Sequence, residues 1–548
     1  MRTSNYRNLI TRFCSFPSAN VAAVTGYSDV DFVLDRGTWP PAKVKWTRGA
    51  GPLGPIVGWK SPSITLLHLL WACGQRVLLF LAILFLPSMT ASTAAFGVTY
   101  FANPGDNISA KLSVLKPGDT LIFNDGTYYQ LYINPANGTA LKGTATAPIA
   151  LKAANDGKAV FDSGSTAEPI FITGSSYLTL EGFVARNSSA SVVHVYGGGR
   201  GGQNNEHITL RRITAYNAGA DNHHVFNIEY PQTNILVEDC AAWGRGRYKF
   251  VAYHSSYVTF RRDWAFWEGI TTFSPAPRAP FAVYGASNVS LENVIGTNAI
   301  PTQADDNYYT SLWHTTDDAV NYPANNMTML GSIFYNNCEG HWENESAGAG
   351  TYMKDNYFSI PVNPACPQFT TRPYGDGLTW NYNTNAGIIT NAVFVNNNVG
   401  LNQFGAVGSL LLSNSVMLSN TTAVVSSATH SSVYFWGNRD NGIVLKSGDQ
   451  TINPRYDSNT FGTGAYFFVP ARSPLKGAGS GGSDIGANII HQYVNGTLTQ
   501  TPLWPWPMEG RILAEKGISV TYASNGGFWK TLDGVYSTPA HESKSSSR

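Results

Sequence analysis

One short strand pattern recurs along most of this chain, and nothing else constrains its fold as much. YLTLEGFVARN from Tyr177, HITLRRITAYN from His207, NILVEDCAAWG from Asn234, YVTFRRDWAFWEG from Tyr257 and NVSLENVIGTNA from Asn288 align at Leu180, Leu210, Val237, Phe260 and Leu291, which are 30, 27, 23 and 31 residues apart. The pattern continues as MTMLGSIFYNN, YMKDNYFS, IITNAVFVNN and LLLSNSVMLSN, with minimum spacings of 23 or 24 and longer gaps that read as the same unit plus an inserted loop. A shorter strand repeats just ahead of it: EPIFITG from Glu168, SVVHVYG from Ser191, HVFNIEY from His224, KFVAYHS from Lys249 and PFAVYGA from Pro280. Two strands per unit cannot bury their apolar faces alone, but stacked coils share one axial core. The expected fold is therefore an all-β parallel β-helix, in which each coil supplies its own return path and no helical crossover is needed. A propeller would need blades of about 40 residues with four strands each.

The ends of the repeat are also legible. Asn217, Asn293, Asn336, Asn397 and Asn414 fall at or near strand ends, where a short amide tolerates left-handed backbone and bonds to the next coil. In FANPGDNISAKLSVLKPGDTLIFNDGTY a short capping helix is expected over Ile108 to Leu115, then a strand from Thr120 to Phe123. The helix plugs the open end of the solenoid, which otherwise invites pairing with another chain. ARSPLKGAGSGGSDIG, residues 471–486, reads as a closing turn, so the β-helix is placed at 96–487. Residues 488–548 form a tail in which TPLWPWPMEGRI from Thr501 lies against the last coils and HESKSSSR is disordered.

Residues 61–95 carry Arg76, the apolar stretch Val77 to Leu86 and the small residues Ala91, Ser92, Ala94 and Ala95, the order of a secretory signal with cleavage near Ala95. Residues 1–60 show no sustained period and read as a doubtful leader or a mis-assigned start. A secreted or cell-surface protein is expected. Beyond the signal only Cys240, Cys338 and Cys366 remain, too few for a disulfide framework, although one pair is possible. Lys+Arg 36 against Asp+Glu 35 leaves a net charge of +1, which argues against a nucleic-acid partner. With 14 Trp, 28 Tyr and 27 Phe there is ample flat surface for stacking on sugars, so the expected partner is a polysaccharide and the expected state a monomer.

With GDTLIFNDGTY at Gly118 to Tyr128, the strand and Asn repeat to about Asn420 and SDIGA at Ser483 to Ala487, the chain resembles the right-handed parallel β-helix proteins of the pectate-lyase-like superfamily over roughly Gly97 to Ala487. That resemblance implies a right-handed solenoid. Its members include polysaccharide lyases and hydrolases, uronate epimerases, phage tailspikes and noncatalytic surface proteins, so it does not choose a function. The hydrolases' Asn-x-Asp and Gly-His-Gly surroundings are missing around Asp305-Asp306 and Asp317-Asp318. The vWiDH and RxPxxR patterns of classical pectate lyases are missing too: Arg278-Ala-Pro280 copies only the start of the latter, and Val283 stands where its second Arg would be.

Chemistry-bearing residues concentrate between Ala220 and Gly269. If His224 and Lys249 are one coil apart, about 4.8 Å in the stacking direction, then His223, His224, Arg245, Arg247, Lys249 and Glu268 share one lateral face. A lyase acting on a uronate polymer must neutralise the carboxylate, take the C5 proton and assist departure of the 4-linked sugar. Lys249 is the expected base once neighbouring charge or burial lowers its pKa, Arg247 the carboxylate clamp and His224 a competing acid or base. Arg245, His223, Trp267, Glu268 and Trp313 are the expected substrate contacts. The alternative is structural: Arg245, Arg247 and Lys249 form a solvated turn, Arg261-Arg262 pair with Glu238 and Asp239, and His194 is a wall residue. Trp264 and Trp267 are three apart and should not both face inward on a regular strand, which makes one a sugar platform.

A second constellation lies in the gap between Leu291 and Leu330. Asp305, Asp306, Asp317 and Asp318 there could hold Ca²⁺, supply the paired carboxylates of a glycoside hydrolase, or serve only the turn. His341, Glu343 and Glu345 do not form HExxH, which argues against a zinc site. The leading reading is a lyase acting on an acidic polysaccharide by β-elimination, with a hydrolase and a noncatalytic glycan binder as alternatives.

Overall fold

The computed structural model describes residues 97–517 apart from 199–202, 221, 231, 269–276, 301–308, 319, 345–349, 361–365, 367–374, 382–385, 405–408 and 456–466. The expected leader, the expected signal segment and the end expected to be disordered lie outside the described residues. Within them the chain is an all-β right-handed parallel β-helix of three sheets, with 13, 12 and 11 strands, that climbs one coil at a time through the first, second and third sheet in turn. One coil illustrates the plan: Ser176–Glu181 in the first sheet, Val184–Arg186 in the second and Val193–Tyr196 in the third.

Each coil thus has three strands where the sequence suggested two. The long motif YLTLEGFVARN is a pair of strands bent at Gly182, whose φ is +85°. Arg212, Asp239, Arg262, Asn293, Gly331, Asp355, Asn391 and Asn414 occupy the same corner on later coils, all with positive φ. Left-handed backbone costs a residue with a side chain about 1–2 kcal/mol, and local bonds offset it. The Arg262 Nε, for example, donates to Asp239 Oδ1 at 2.6 Å. Of the asparagines expected in this conformation, Asn217, Asn293, Asn336 and Asn414 adopt it, whereas Asn397 leaves it to Asn396. The Asn397 amide instead enters a buried ladder, Asn397 to Asn420 at 2.9 Å and Asn420 to Asn438 at 3.0 Å.

Leu180, Leu210, Val237, Phe260 and Leu291 are successive register partners, as the alignment required. The next partner is Met329 and not Leu330. Inward positions stack into one axial core, with like rings above one another: Phe226 on Phe250 at 4.7 Å and Phe250 on Phe281 at 5.1 Å. The capping helix is present but ends early, at Ile108–Leu112, with the Asn107 side chain accepting from Ala110 N and Leu112 buried.

The tail does not stop at the last coils. After Phe467 it runs back along the outer face of the second sheet, where Leu503, Trp504, Trp506, Ile512 and Leu513 cover Trp243, Trp264, Ile295 and Tyr357. Polar anchors mark its path. Asn414 Oδ1 accepts from Ser480 N at 2.9 Å, Asn293 Oδ1 from Tyr493 N at 2.5 Å, and Glu268 Oε1 from Lys516 Nζ at 2.7 Å. Arg511, on the helix Glu509–Lys516, reaches the early coils through Asp156, Phe183 O and Arg212 O. Cys338 and Cys366 form the one disulfide among the described residues, and Cys240 is a buried thiol. No helix among the described residues is long and apolar enough to cross a membrane.

Candidate functional site

The outer face of the third sheet is the one that carries a chemically rich cleft. Alternation along its strands points every second residue outward, giving the row Tyr132, Phe171, His194, Asn227, Val251, Ala282 and Trp313 in successive register and, two residues on, the row Tyr196, Glu229, Tyr253 and Tyr284. A pocket of about 490 Å³ opens over the middle of this row. Its floor is His194 and Asn227, and Glu168, Glu229, Arg247 and the rings of His223, His224, Tyr230, Tyr248, Tyr253 and Tyr284 form its walls.

His194 is held between two carboxylates, with Nδ1 2.8 Å from Glu168 Oε1 and Nε2 3.0 Å from Glu229 Oε2. Burial opposes charge on the ring, but the bonds to Glu168 and Glu229 outweigh it and raise the pKa to about 9. Glu229 responds in the opposite sense: burial works against its charge, and the His194 cation together with an Asn227 bond at 2.7 Å still leaves it below the usual carboxylate range. The floor thus holds an imidazolium between two carboxyl groups.

One wall is made by a kink. WGRGRYK contains Gly244 at φ +72° and Gly246 at φ +142°, and the strand Tyr248–Tyr253 begins directly after them. Register runs Phe226 to Phe250, so the residue beside His224 is Tyr248 and Lys249 lies one step further in. Strict alternation from the outward Val251 would turn Lys249 outward and Tyr248 inward, but the strand departs from it at its first residues, directly after the two glycines. Tyr248 lines the pocket, its ring stacked on His224 at 5.0 Å and under the Arg247 guanidinium at 4.6 Å. Arg247 is steadied by Pro277 O and Asn222 Oδ1, both at 2.9 Å. Burial, then the Arg247 charge, holds His224 well below the ordinary histidine range, so its imidazole is neutral near pH 7. Burial raises the Tyr248 phenol and keeps it protonated.

Three buried polar atoms in this pocket have no hydrogen-bond partner among the described residues: His224 Nδ1, Asn227 Oδ1 and Tyr248 Oη. An unpaired buried polar group costs about 1–3 kcal/mol. All three belong to residues that line the one cleft, and unpaired polar groups in a native structure call for an explanation such as a bound water or ligand.

Of the residues expected from sequence, His223, His224 and Arg247 line this pocket together. Lys249 does not. It is fully buried, donates to Gly246 O at 2.9 Å and Glu268 O at 3.3 Å, and sits 5.0 Å over the Trp267 ring. Its pKa is indeed lowered, to about 7, chiefly by burial, but the group cannot meet a polymer. Trp267 is not a sugar platform either: it packs with Ala299, Tyr309 and the disulfide, and its indole donates to Arg247 O. Trp264 is equally buried because the tail covers it, while Trp267 lies past the end of the strand Trp264–Phe266 and escapes strict alternation. Glu268 anchors Lys516, and the Arg245 Nε binds Ala218 O at 2.7 Å, outside the pocket. Trp313 is half-buried on the same sheet face, packed beside Tyr248 and Ala282. Arg261 and Arg262 pair with Glu238, Asp239 and Glu292, the structural role expected for them.

The acidic constellation is divided. Asp305 and Asp306 lie outside the described residues. Asp317 Oδ2 is 2.7 Å from His254 Nε2, while both Asp318 oxygens accept bonds within their own turn, from Val320 N and Asn321. The two carboxylates therefore serve separate partners and do not meet at a common point. Glu168, Glu229, Asn227 and the tyrosines were missed by gathering charges along the chain. The period-two alternation of SVVHVYG, HVFNIEY and KFVAYHS, read across coils, would have placed His194, Asn227, Glu229 and Tyr253 on one face.

No protein-family model matches the sequence, and no curated protein matches it. Several solved structures are similar in architecture. The pectate lyase Pel9A is 16% identical at a TM-score of 0.42, covering 72% of this chain and 97% of its own. XylC in complex with xylose is 8% identical at 0.44, covering 65% and 87%, and the bacteriophage Phi29 gene product 12 N-terminal fragment is 14% identical at 0.42, covering 68% and 73%. The architecture this chain shows is a parallel β-helix of three sheets. At such identities function has to be argued from this chain's own side chains.

Proposed function

We propose that this β-helix is a secreted carbohydrate-active enzyme, a lyase that cleaves a uronate-containing polysaccharide by β-elimination in the third-sheet pocket. The observation that carries the proposal is the company of a neutral His224, a protonated Tyr248 and the Arg247 cation around partnerless buried polar atoms. Arg247 would hold the uronate carboxylate and stabilise the negative charge that builds there as the C5–H bond breaks. The lone pair of His224 would take that proton, the C5–H electrons would form the C4=C5 double bond, and the Tyr248 hydroxyl would protonate the departing 4-linked oxygen. No step requires calcium, and Asp317 and Asp318 as placed do not supply a shared set of ligands for it.

A glycoside hydrolase at the same pocket is the second reading, favoured by the two carboxylates on opposite sides of His194. It is weaker because hydrolysis needs one of the pair protonated, and Glu229 is held below the usual range. The test is incubation with uronate polymers, with and without a calcium chelator, followed by ultraviolet absorbance and by reducing ends. Absorbance rising with new ends supports elimination; ends without absorbance would convert the reading to hydrolysis. Saturable binding with neither product would leave a glycan-binding protein. For the lyase, His224→Ala and Tyr248→Phe should each lower kcat by about 10²–10⁴-fold.

A further inference from the structure

The pocket is not isolated on its sheet face. Toward the N-terminal end lies a second cleft of about 380 Å³, lined by Phe171, Thr173, Tyr196 and the turn at Asn134 to Ala136, and then a third of about 520 Å³ that includes Tyr132. Aromatic contacts join the three. Tyr132 stacks on Phe171 at 5.1 Å, Phe171 meets His194 edge-on at 5.3 Å, and Tyr196 meets Tyr230 edge-on at 5.7 Å. Tyr230 lies at 83° to Tyr196 and 75° to Tyr253, so a ring face is turned across the run. Coils repeat about every 4.8 Å, close to the length of one sugar ring in an extended chain, and successive coils contribute rings to the track, His194 and Tyr196 both from the strand Val193–Tyr196.

The charge along this track is uneven. The pocket holds Arg247, three histidines and two glutamates. Among the described residues, none lining the middle cleft is charged, and the far one has only Asp106, already paired with Lys111 at 3.3 Å. Rings stack on the apolar faces of uncharged sugars, but a desolvated carboxylate without a cation is strongly disfavoured.

We propose that the pocket is the charged end of a groove running along the solenoid axis, whose N-terminal stretch takes uncharged sugar rings. The substrate is then a mixed polysaccharide in which uronate units are flanked by neutral sugars, not a homopolyuronate. This rests on the reading that the pocket receives a uronate. The test is calorimetric titration of the full chain carrying His224→Ala with two kinds of hexamer. One kind alternates a uronate with a neutral sugar, as galacturonate with rhamnose or glucuronate with glucose; the other is galacturonate or glucuronate throughout. A mixed hexamer should bind about tenfold tighter than its homopolymer. That advantage should disappear in Phe171→Ala and in Tyr196→Ala, while their thermal unfolding stays within a few degrees of the parent. Equal or tighter binding of the homopolymer, or an advantage that survives both substitutions, overturns the proposal. If homopolymers bind equally well and the unsubstituted chain cleaves them, the pocket reading stands and this proposal alone falls. If no hexamer binds, both fall.

Discussion

At the scale of single residues, His194 ties the chemistry of the pocket to pH. Its pKa of about 9 lies above the unfolded value of 6.5, so the stabilisation from its two carboxylates is complete below pH 6.5 and is lost as pH rises through 9. His194→Gln is expected to cost about 2–3 kcal/mol near pH 6 and little in strongly alkaline solution, measured by urea unfolding across that range. Activity should fall on the same alkaline limb, because deprotonation leaves Glu168 and Glu229 facing an anionic substrate. Lys249 runs the other way. Its folded pKa near 7 lies below 10.5, so the folded state is penalised wherever the lysine is charged, and stability climbs as pH rises from 7 towards 10.5. Lys249→Met should flatten that climb and leave kcat within about twofold; a large loss of kcat would return Lys249 to the mechanism.

At the scale of elements, the bends matter as much as the strands. A Cβ at Gly246 would lie 3.2 Å from Ala218 Cβ and from Val225 Cγ2, at a φ of +142° that disfavours any side chain. Gly246→Ala is expected to cost about 1–3 kcal/mol and to lower activity further by turning Tyr248 away from His224. Arg511→Ala removes the donor to Phe183 O and Arg212 O and leaves Asp156 short of a partner, for a loss of about 2–3 kcal/mol with unchanged turnover. The repeat that specified the solenoid was legible because each coil reuses the same inward apolar positions, Leu180 to Leu291. The third strand was not, because its three residues follow a single-residue bend and look like the continuation of one strand. Lys249 was misplaced for a related reason: two glycines let the chain gain one step, and period-two patterns carry no sign of where a step was gained. Charge along the sequence drew attention to Arg245 and Glu268, whereas the pocket is assembled from outward positions on successive coils, none of which is distinctive alone.

At the scale of the whole molecule, the three faces have different occupants. The second sheet's outer face is sealed by the tail, and the third sheet's outer face carries the pocket and the aromatic track. A chain ended before Glu509 should therefore keep the pocket's lining intact but expose apolar surface around Trp243 and Trp264, which an apolar fluorescent dye would report as increased binding. The bond between Arg511 and Asp156 spans 355 residues of sequence. Coils can stack in the order in which they are synthesised, since each needs only its predecessor, but the seal over the early ones is made of residues synthesised after all the coils. For most of synthesis, then, a growing solenoid stands with one side uncovered, and its hazard is association with a neighbour during that interval. The growing chain is most vulnerable once its last coil has formed, when the exposed side is longest and the covering segment has yet to arrive.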